Sequence, residues 1–564
     1  MPLRAVLWLL LAVFAGTTIG FRVGLPGSDS VPLSAPSPTP QAAAGLAFAP
    51  PGGRRVIPKG LTLSGPSSAP GLRPLSGVEA EALALRGSSS DDGSPAVGFN
   101  APRALTFLSV PGNAVPYSAA PTDTTTATTT TPSSAAPVGP PPVIDSVRTL
   151  ALTPFSATIS WQTSEPASSR LVYGLDGPVI WTAPTATATQ HQATVTGLSF
   201  SSSYVLDVTA TTADGRNAVA DFLLTTPALT GPVDVSTRNG AILLDGQPSF
   251  LKMVWAQCPD AVAGNLAVGI DLFMGNGCGT GAQLARWLGR SAFALADAHE
   301  LAEGRAGTVG THLPDEWDTH LPGDLTPAEA QGLVPATPGS GPRFLTLTNH
   351  FYSRAEPLPQ GRGMYPALIA AADVVGFDLY PLQNWCRWDS FHDVFDSQLD
   401  LVALARGKPT FQWIEARQMD CHGEQLDPTP ETVRAESWLS IAGGAHAIGY
   451  FPNNWSAAVG TEIARTNHEI ETLVPALVEP AIAASASIGS FVKVGARDHN
   501  GAVYVIAVNA SRVATTATIT VPALGDRTLR SLDGQHTVLA AGGSFTDSFG
   551  PLEVRVYIAA PAQG

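Results

Sequence analysis

The sequence predicts a multidomain chain: a β-sandwich, a (β/α)8 TIM barrel and a small C-terminal all-β sandwich, in that order. Three observations predict it. Between residues 232 and 482, short and nearly all-apolar runs recur with helical stretches between most of them, as parallel strands buried on both faces do. Residues 143–227 and 483–564 instead alternate apolar and polar positions, with turn residues between the runs. Finally, 564 residues, 44% of them hydrophobic, exceed one core and supply several.

The N-terminus sets the compartment. "MPLR" precedes "AVLWLLLAVFAGTTIG", a basic start before an apolar run, so residues 1–26 read as a signal peptide or a retained signal anchor. No other run is long and apolar enough to span a bilayer. Residues 27–142 hold tracts such as "SVPLSAPSPTP" and "DTTTATTTTPSSAAPVGPPP", which cannot bury a core and read as a disordered Pro/Ser/Thr-rich linker. The expectation is a secreted or extracellular protein, free or membrane-anchored through its N-terminal segment. Only 14% of residues are charged and the formal net charge is −15, which excludes a phosphate-backbone binder and hence nucleic acid as partner. Four lysines (Lys59, Lys252, Lys408, Lys493) in an Ala- and Gly-rich chain fit a GC-rich bacterial genome.

The cysteines fit export. Cys258, Cys278, Cys386 and Cys421 are even in number and contain no C-x-x-C spacing. Sequence allows three pairings. If the barrel holds, Cys258 and Cys278 follow neighbouring strands one and two, and Cys386 and Cys421 follow strands six and seven, so these are the expected bridges.

Within residues 143–227, "ATISW" turns Trp161 inward on an early strand, and "GLSFSSSYVLDV" sets Tyr204 at a strand start. These features, with "VYG", resemble a fibronectin type III domain, which implies a spacer without chemistry of its own. "AILLDGQPSFL" then reads as a hairpin turning at Asp-Gly. The expected barrel strands are Leu251–Trp255, Ile270–Met274, Phe293–Asp297, Thr308–His312, Phe344–Asn349, Val374–Tyr380, Thr410–Glu415 and Ala447–Phe451. Helices are expected at "GAQLARWLG", "FHDVFDSQLDLVALARG" and "PETVRAESWLSIAGG". The tail, with "EVRVYIAA", forms the last sandwich.

A barrel of this kind works at the C-terminal ends of its strands. Read in order, those ends offer Trp255 and Gln257, Asp271, Asp297, Asp315 and Glu316, Asn349 and His350, Asp378 and Tyr380, Glu415, then Asn453, Asn454 and Trp455. Glu316 in "LPDEWD" and Glu415 in "FQWIEARQ" close strands four and seven, which face each other across the mouth. Two facing carboxyl groups are the requirement of glycosidic cleavage, one protonating the leaving oxygen and the other attacking the anomeric carbon. Trp255, Trp317, Trp385, Trp413 and Trp455 supply flat apolar faces for sugar rings. No glycine-rich phosphate loop, G-x-S-x-G or H-x-H is present, so no cofactor and no metal is expected.

On these residues the barrel resembles a clan A glycoside hydrolase. The resemblance implies a retaining enzyme acting on a polysaccharide or oligosaccharide, with Glu316 as acid/base and Glu415 as nucleophile. It also implies substrate contacts from Trp255, Asp271, Asp315, Trp317, Asn349, His350, Tyr380 in "GFDLYPL" and Trp455 in "GYFPNNW". Asp315 stands where the clan carries Asn, so in its ionised form it accepts a hydrogen bond instead of donating one. The other reading is a non-catalytic carbohydrate-binding or cell-wall-associated protein built on a degenerate barrel.

Overall fold

The structure is a computed structural model that describes residues 72–74, 139–297, 307–320, 341–423, 425–452 and 454–562. The expected signal segment, most of the expected linker and Asn453 lie outside the described residues.

Eight parallel strands close into a barrel: β1 (Leu251–Gln257), β2 (Leu272–Asn276), β3 (Phe293–Asp297), β4 (Gly310–His312), β5 (Arg343–Thr348), β6 (Val374–Asp378), β7 (Thr410–Glu415) and β8 (Ala447–Phe451). Each pairs with the next, and β8 returns to β1 through Leu251↔Ala447 and Met253↔Gly449. Helices α1 (Pro259–Ala267), α2 (Gly281–Leu288), α3 (Tyr365–Ala370), α4 (Phe391–Ala405), α5 (Pro430–Ala442) and α6 (Ala457–Leu477) lie between or after the strands. Their starts are written in the sequence. Thr280 and Gln283 form a capping box on α2, Thr429 and Thr432 do so on α5 behind Pro430, and Ser456 caps α6.

Side-chain alternation sorts each strand into two cores. Met253, Leu295, Phe344, Val374, Phe411 and Trp413 fill the barrel interior. Val254, Ala294, Leu345, Val375, Ile414 and Ile448 face the helix layer. Two inward positions are glycine for a steric reason. A Cβ on Gly376 would lie 2.2 Å from the Phe411 ring, and one on Gly449 would lie 2.2 Å from Trp413. Both aromatic rings of β7 therefore lie across neighbouring backbone.

The lower end of the barrel is packed shut. Strands Val235–Arg238, Ala241–Leu244 and Gln247–Ser249 form a small antiparallel sheet whose Asp245-Gly246 turn has φ of 48° and 76°, the left-handed pair such hairpins need. Ile242 and Leu244 join Phe155 and Phe200 of the N-terminal module against the barrel interior. Here the expected strand end at Asp271 is corrected. Strand β2 begins at Leu272, so Asp271 lies at its N-terminal end, 2.6 Å from Lys252 Nζ.

In the N-terminal module the strand Ser156–Gly174 pairs with Ile144–Leu152 and Ala188–Thr196 through its first half. Its second half pairs with Ser203–Thr212. Trp161 is buried and donates to Ser169 Oγ at 2.8 Å, and the Tyr204 hydroxyl accepts from the Ser199 amide at 2.8 Å. Leu72–Pro74, within the expected linker, pairs with Asn217–Thr225. The C-terminal module stacks a six-stranded and a three-stranded antiparallel sheet around Val503, Val505, Ile519 and Tyr557.

The flanking modules dock instead of dangling. The Tyr504 hydroxyl donates to Val179 O at 2.7 Å, and Asn500 to Trp181 O at 2.8 Å. Lys493 pairs with Asp396 of α4 at 2.6 Å. Gly495 has no room for a Cβ, which would meet Ala442 O of α5 at 2.5 Å.

Candidate active site at the barrel mouth

The C-terminal strand ends surround a cavity of about 200 Å³, space for on the order of ten water molecules or one sugar ring. Its walls come from six barrel strands or the loops that follow them. Trp255 follows from β1, Asp315 and Glu316 from the loop after β4, Thr346 from β5, Asp378 from β6, Trp413 from β7 and Phe451 from β8. Tyr380, Gln383 and Asn384 enter from the loop after β6, and Met419 and Asp420 from the loop after β7.

Aromatic rings build much of this wall. Trp413 donates its indole N–H to Thr346 Oγ1 at 3.1 Å, which fixes the ring. Trp255 meets it edge to face at 6.0 Å and meets His312 the same way at 5.1 Å. Opposite, Tyr380 stacks on Phe451 at 6.1 Å. Such faces suit the apolar C–H surfaces of a sugar.

The acids divide by what holds them. "LPDEWD" is a short device with three jobs. Asp318 is fully buried and accepts from the Thr348 amide at 3.0 Å, the Thr348 hydroxyl and the Tyr365 hydroxyl, which ties the loop to β5 and α3. Trp317 turns into the core between barrel and helices. Glu316 is thereby held at φ 45°, a left-handed conformation that costs a non-glycine residue roughly 1–3 kcal/mol and clusters at functional sites. Ala256 and Asn454, at the ends of β1 and β8, are left-handed as well.

Glu316 reaches Asp378 with a side-chain hydrogen bond. Burial, and then the charge of Glu316 and this bond, hold the Asp378 carboxyl well above the usual carboxylate range. Asp378 therefore keeps its proton to higher pH than an ordinary carboxyl. Asp315 is pushed up to about 6 by burial and by Glu316. The Tyr380 phenol is driven upward by burial and by Asp378, Asp315, Glu415 and Glu316, so it remains a donor among acids.

Glu415 belongs elsewhere. It is fully buried and does not line the cavity. Its Oε1 accepts from the Leu382 amide at 2.9 Å and its Oε2 from the Gln383 amide at 2.8 Å. Behind it, the Glu436 carboxyl of α5 makes a hydrogen bond to it. Burial pushes Glu415 up to about 7 against those amides, and burial plus the Glu415 charge push Glu436 well above its ordinary range. The pair thus pins the loop that carries Tyr380, Gln383 and Asn384.

Both expected disulfides form. Cys258–Cys278 joins the loops after β1 and β2, and Cys386–Cys421 joins those after β6 and β7. Gln383 doubles the second clasp. Its amide nitrogen donates to Cys421 O at 3.1 Å and Leu426 O at 2.7 Å, and its oxygen accepts from the Met419 amide.

Of the expected site residues, the structure brings together Trp255, Asp315, Glu316 and Tyr380. Asp271 sits at the opposite end, as above, and Trp317 in the core. Asn349 is buried in a short 3-10 turn, and the His350 ring faces Glu356 O at 2.6 Å. Trp455 packs on Tyr450 at 6.2 Å in the helix layer. Asp420, Asn384 and Met419 were not expected; they lie in loops without strand periodicity. Among the described residues one group, His392, Asp393 and Asp396, has the spacing to hold a metal. It lies on α4, and Arg354 and Lys493 already neutralise it at 2.8 and 2.6 Å.

No family model and no curated protein matches the sequence. Solved structures do. α-Galactosidase I from Mortierella vinacea is similar at 12% identity and a TM-score of 0.40, over 56% of this chain and 97% of that one. A GH30 endoxylanase from Clostridium papyrosolvens is similar at 12% identity and a TM-score of 0.35, over 58% and 100%. An α-amylase from Geobacillus thermoleovorans follows at 12% identity and 0.31, over 47% and 62%.

Proposed function

We propose that the barrel is a glycoside hydrolase in which Asp378 is the proton donor and Glu316 the ionised partner. The observation that carries this reading is the pair itself. Two carboxyl groups, one from the loop after β4 and one from β6, meet over a cavity walled by aromatic rings. Asp378, whose carboxyl is held well above the usual range, suits the acid, and Glu316 beside it the nucleophile. Contact between the groups leaves no gap for an inverting water, and is closer than the roughly 5–5.5 Å of retaining enzymes, so a sugar would part them on entry.

In the first step the Glu316 carboxylate attacks the anomeric carbon while the glycosidic C–O bond breaks. The departing oxygen takes the Asp378 proton. In the second step Asp378, now ionised, removes a proton from water, whose oxygen displaces Glu316 from the sugar. The Tyr380 hydroxyl stays protonated throughout and steadies the charge that appears on either acid. A binding-only barrel has no use for a strained Glu316, so the non-catalytic reading is not favoured.

Trapping tests the assignment. A 2-deoxy-2-fluoro glycoside with an activated leaving group should esterify the enzyme, and peptide mass mapping should find the label on Glu316. Label on Glu415 would return the nucleophile to β7, where the clan A resemblance has it. Turnover without any labelled carboxyl would end the retaining mechanism.

A further inference from the structure

The charge of the cavity narrows the substrate, on the footing that the hydrolase reading holds. Four carboxyl groups line it: Asp315, Glu316, Asp378 and Asp420. Among the described residues that line it there is no Lys, Arg or His. Of the neutral polar groups, Gln383 is consumed by backbone partners and Thr346 accepts from Trp413. What remains for a ligand is Asn384 and an acidic rim over indole and phenol faces.

That combination selects by sign. An anionic sugar brings a further negative charge into a small, low-dielectric space with no cation among the described lining residues to balance it. A neutral sugar stacks on the rings but leaves the acids uncompensated. An ammonium group gains a charge-assisted hydrogen bond to a carboxylate and attraction to an indole face, here Trp255 or Trp413. Burial first, and then neighbouring acid charge, displace Asp315 and Asp378 upward, with His320 only partly offsetting the charge felt by Asp315.

We infer that the site takes a saccharide bearing a protonated amine, such as an unacetylated 2-amino-2-deoxyhexose unit, in preference to its neutral or anionic counterparts. Asp420, exposed on the loop after β7, and Asp315, across the mouth, are the acids free to meet the amine.

Calorimetric titration of the full chain carrying Asp378→Asn tests this without turnover. The probes are methyl glycosides and short oligomers of glucosamine, N-acetylglucosamine, glucose and galacturonate, with the galactosamine series beside them. Near pH 6 and at low salt, one free-amine series should bind at least about tenfold more tightly than its neutral counterpart, with no binding of galacturonate. The preference should shrink when salt rises to about 0.5 M. Adding Asp420→Asn should cut it several-fold, by weakening the amine series more than the neutral one. Asp145→Asn, on the exposed face of the N-terminal module, should leave it intact and so exclude general attraction to a chain of net charge −15. Equal affinity for amine and neutral sugars, or a preference that survives Asp420→Asn, overturns the inference and leaves the hydrolase reading standing. Failure of every saccharide to bind overturns both.

Discussion

The barrel rim carries two pairs of hydrogen-bonded carboxyl groups, and they differ in access. Glu316 and Asp378 meet over the cavity. Glu415 and Glu436 meet behind it, fully buried, with both Glu415 oxygens already taken by the Leu382 and Gln383 amides. Each pair has a raised carboxyl, and burial is the first cause in both. A perturbed acid alone therefore does not mark chemistry. What separates the pairs is whether a reacting atom can reach them and whether their lone pairs are already in use.

The largest expected effects separate the pairs by activity. Glu316→Gln should lower turnover by roughly 10²–10⁴ on every substrate, because no covalent intermediate forms. Asp378→Asn should cost as much on substrates with poor leaving groups and far less on activated aryl glycosides, which need little protonation. Rate measurements on one aryl and one alkyl glycoside decide it. Wild-type rates for Glu316→Gln on either would break the comparison.

Next come effects on stability, where the buried pair should dominate. Glu415→Ala leaves two buried amides without acceptors, at about 1–3 kcal/mol each. The thermal midpoint should drop by several degrees, and activity should fall without regard to leaving group, because the loop holding Tyr380 and Asn384 loosens. The pH dependence has a definite sign. Glu415 moves from 4.5 to about 7 on folding, so its proton is held more tightly in the folded state. The resulting stabilisation is complete below about pH 4.5 and is lost as pH rises through about 7. The midpoint should therefore decline between pH 5 and pH 8, and Glu436→Gln should flatten that decline. An unchanged slope in Glu436→Gln would show that the pair does not titrate as described.

The barrel was legible because strand β7 and its neighbours read as apolar runs of the right length, and caps such as Thr429-Pro430 mark helix starts. Three strand assignments, Phe293–Asp297, Thr410–Glu415 and Ala447–Phe451, agree with the structure to the residue. The site was half legible. Trp255, Asp315, Glu316 and Tyr380 follow from strand ends alone. Asp378 and Glu415 both face inward by alternation, and sequence has no means to tell that the loop after β6 closes over one of them. Asp271 was misplaced as a mouth residue although the expected strand Ile270–Met274 already set it near the strand's start; pairing begins at Leu272 and leaves it at the N-terminal end. Trp317 and Trp455 fill the helix layer, a use of indole that composition cannot distinguish from sugar stacking.

Smaller effects sharpen the role of the rigid wall. Gly449→Ala would drive a Cβ into the Trp413 ring, 2.2 Å away, at about 1–3 kcal/mol, and should weaken saccharide binding along with stability. Removing the Cys386–Cys421 bridge, which closes 35 residues of sequence separation, should cost about 3–4 kcal/mol by the chain-entropy relation. Its effect on the cavity should be milder than on stability, since Gln383 still joins the two loops. Denaturant midpoints and calorimetric affinities, measured on the same variants, separate the two consequences.

The smallest expected effect returns to "LPDEWD". Asp315 adds a negative charge beside Glu316, and its charge is among the causes that hold the proton on Asp378. Asp315→Asn keeps the shape and removes that charge. The proton on Asp378 is then held less tightly, so the limb of the pH–rate profile that reports the acid should move to lower pH, by less than about one unit. Turnover near the optimum should stay within about tenfold, because the Glu316–Asp378 contact and the Asp318 anchor are untouched. A fall as large as that of Glu316→Gln would instead make Asp315 a member of the reacting pair, and the division between the acid that reacts and the acids that tune it would have to be redrawn.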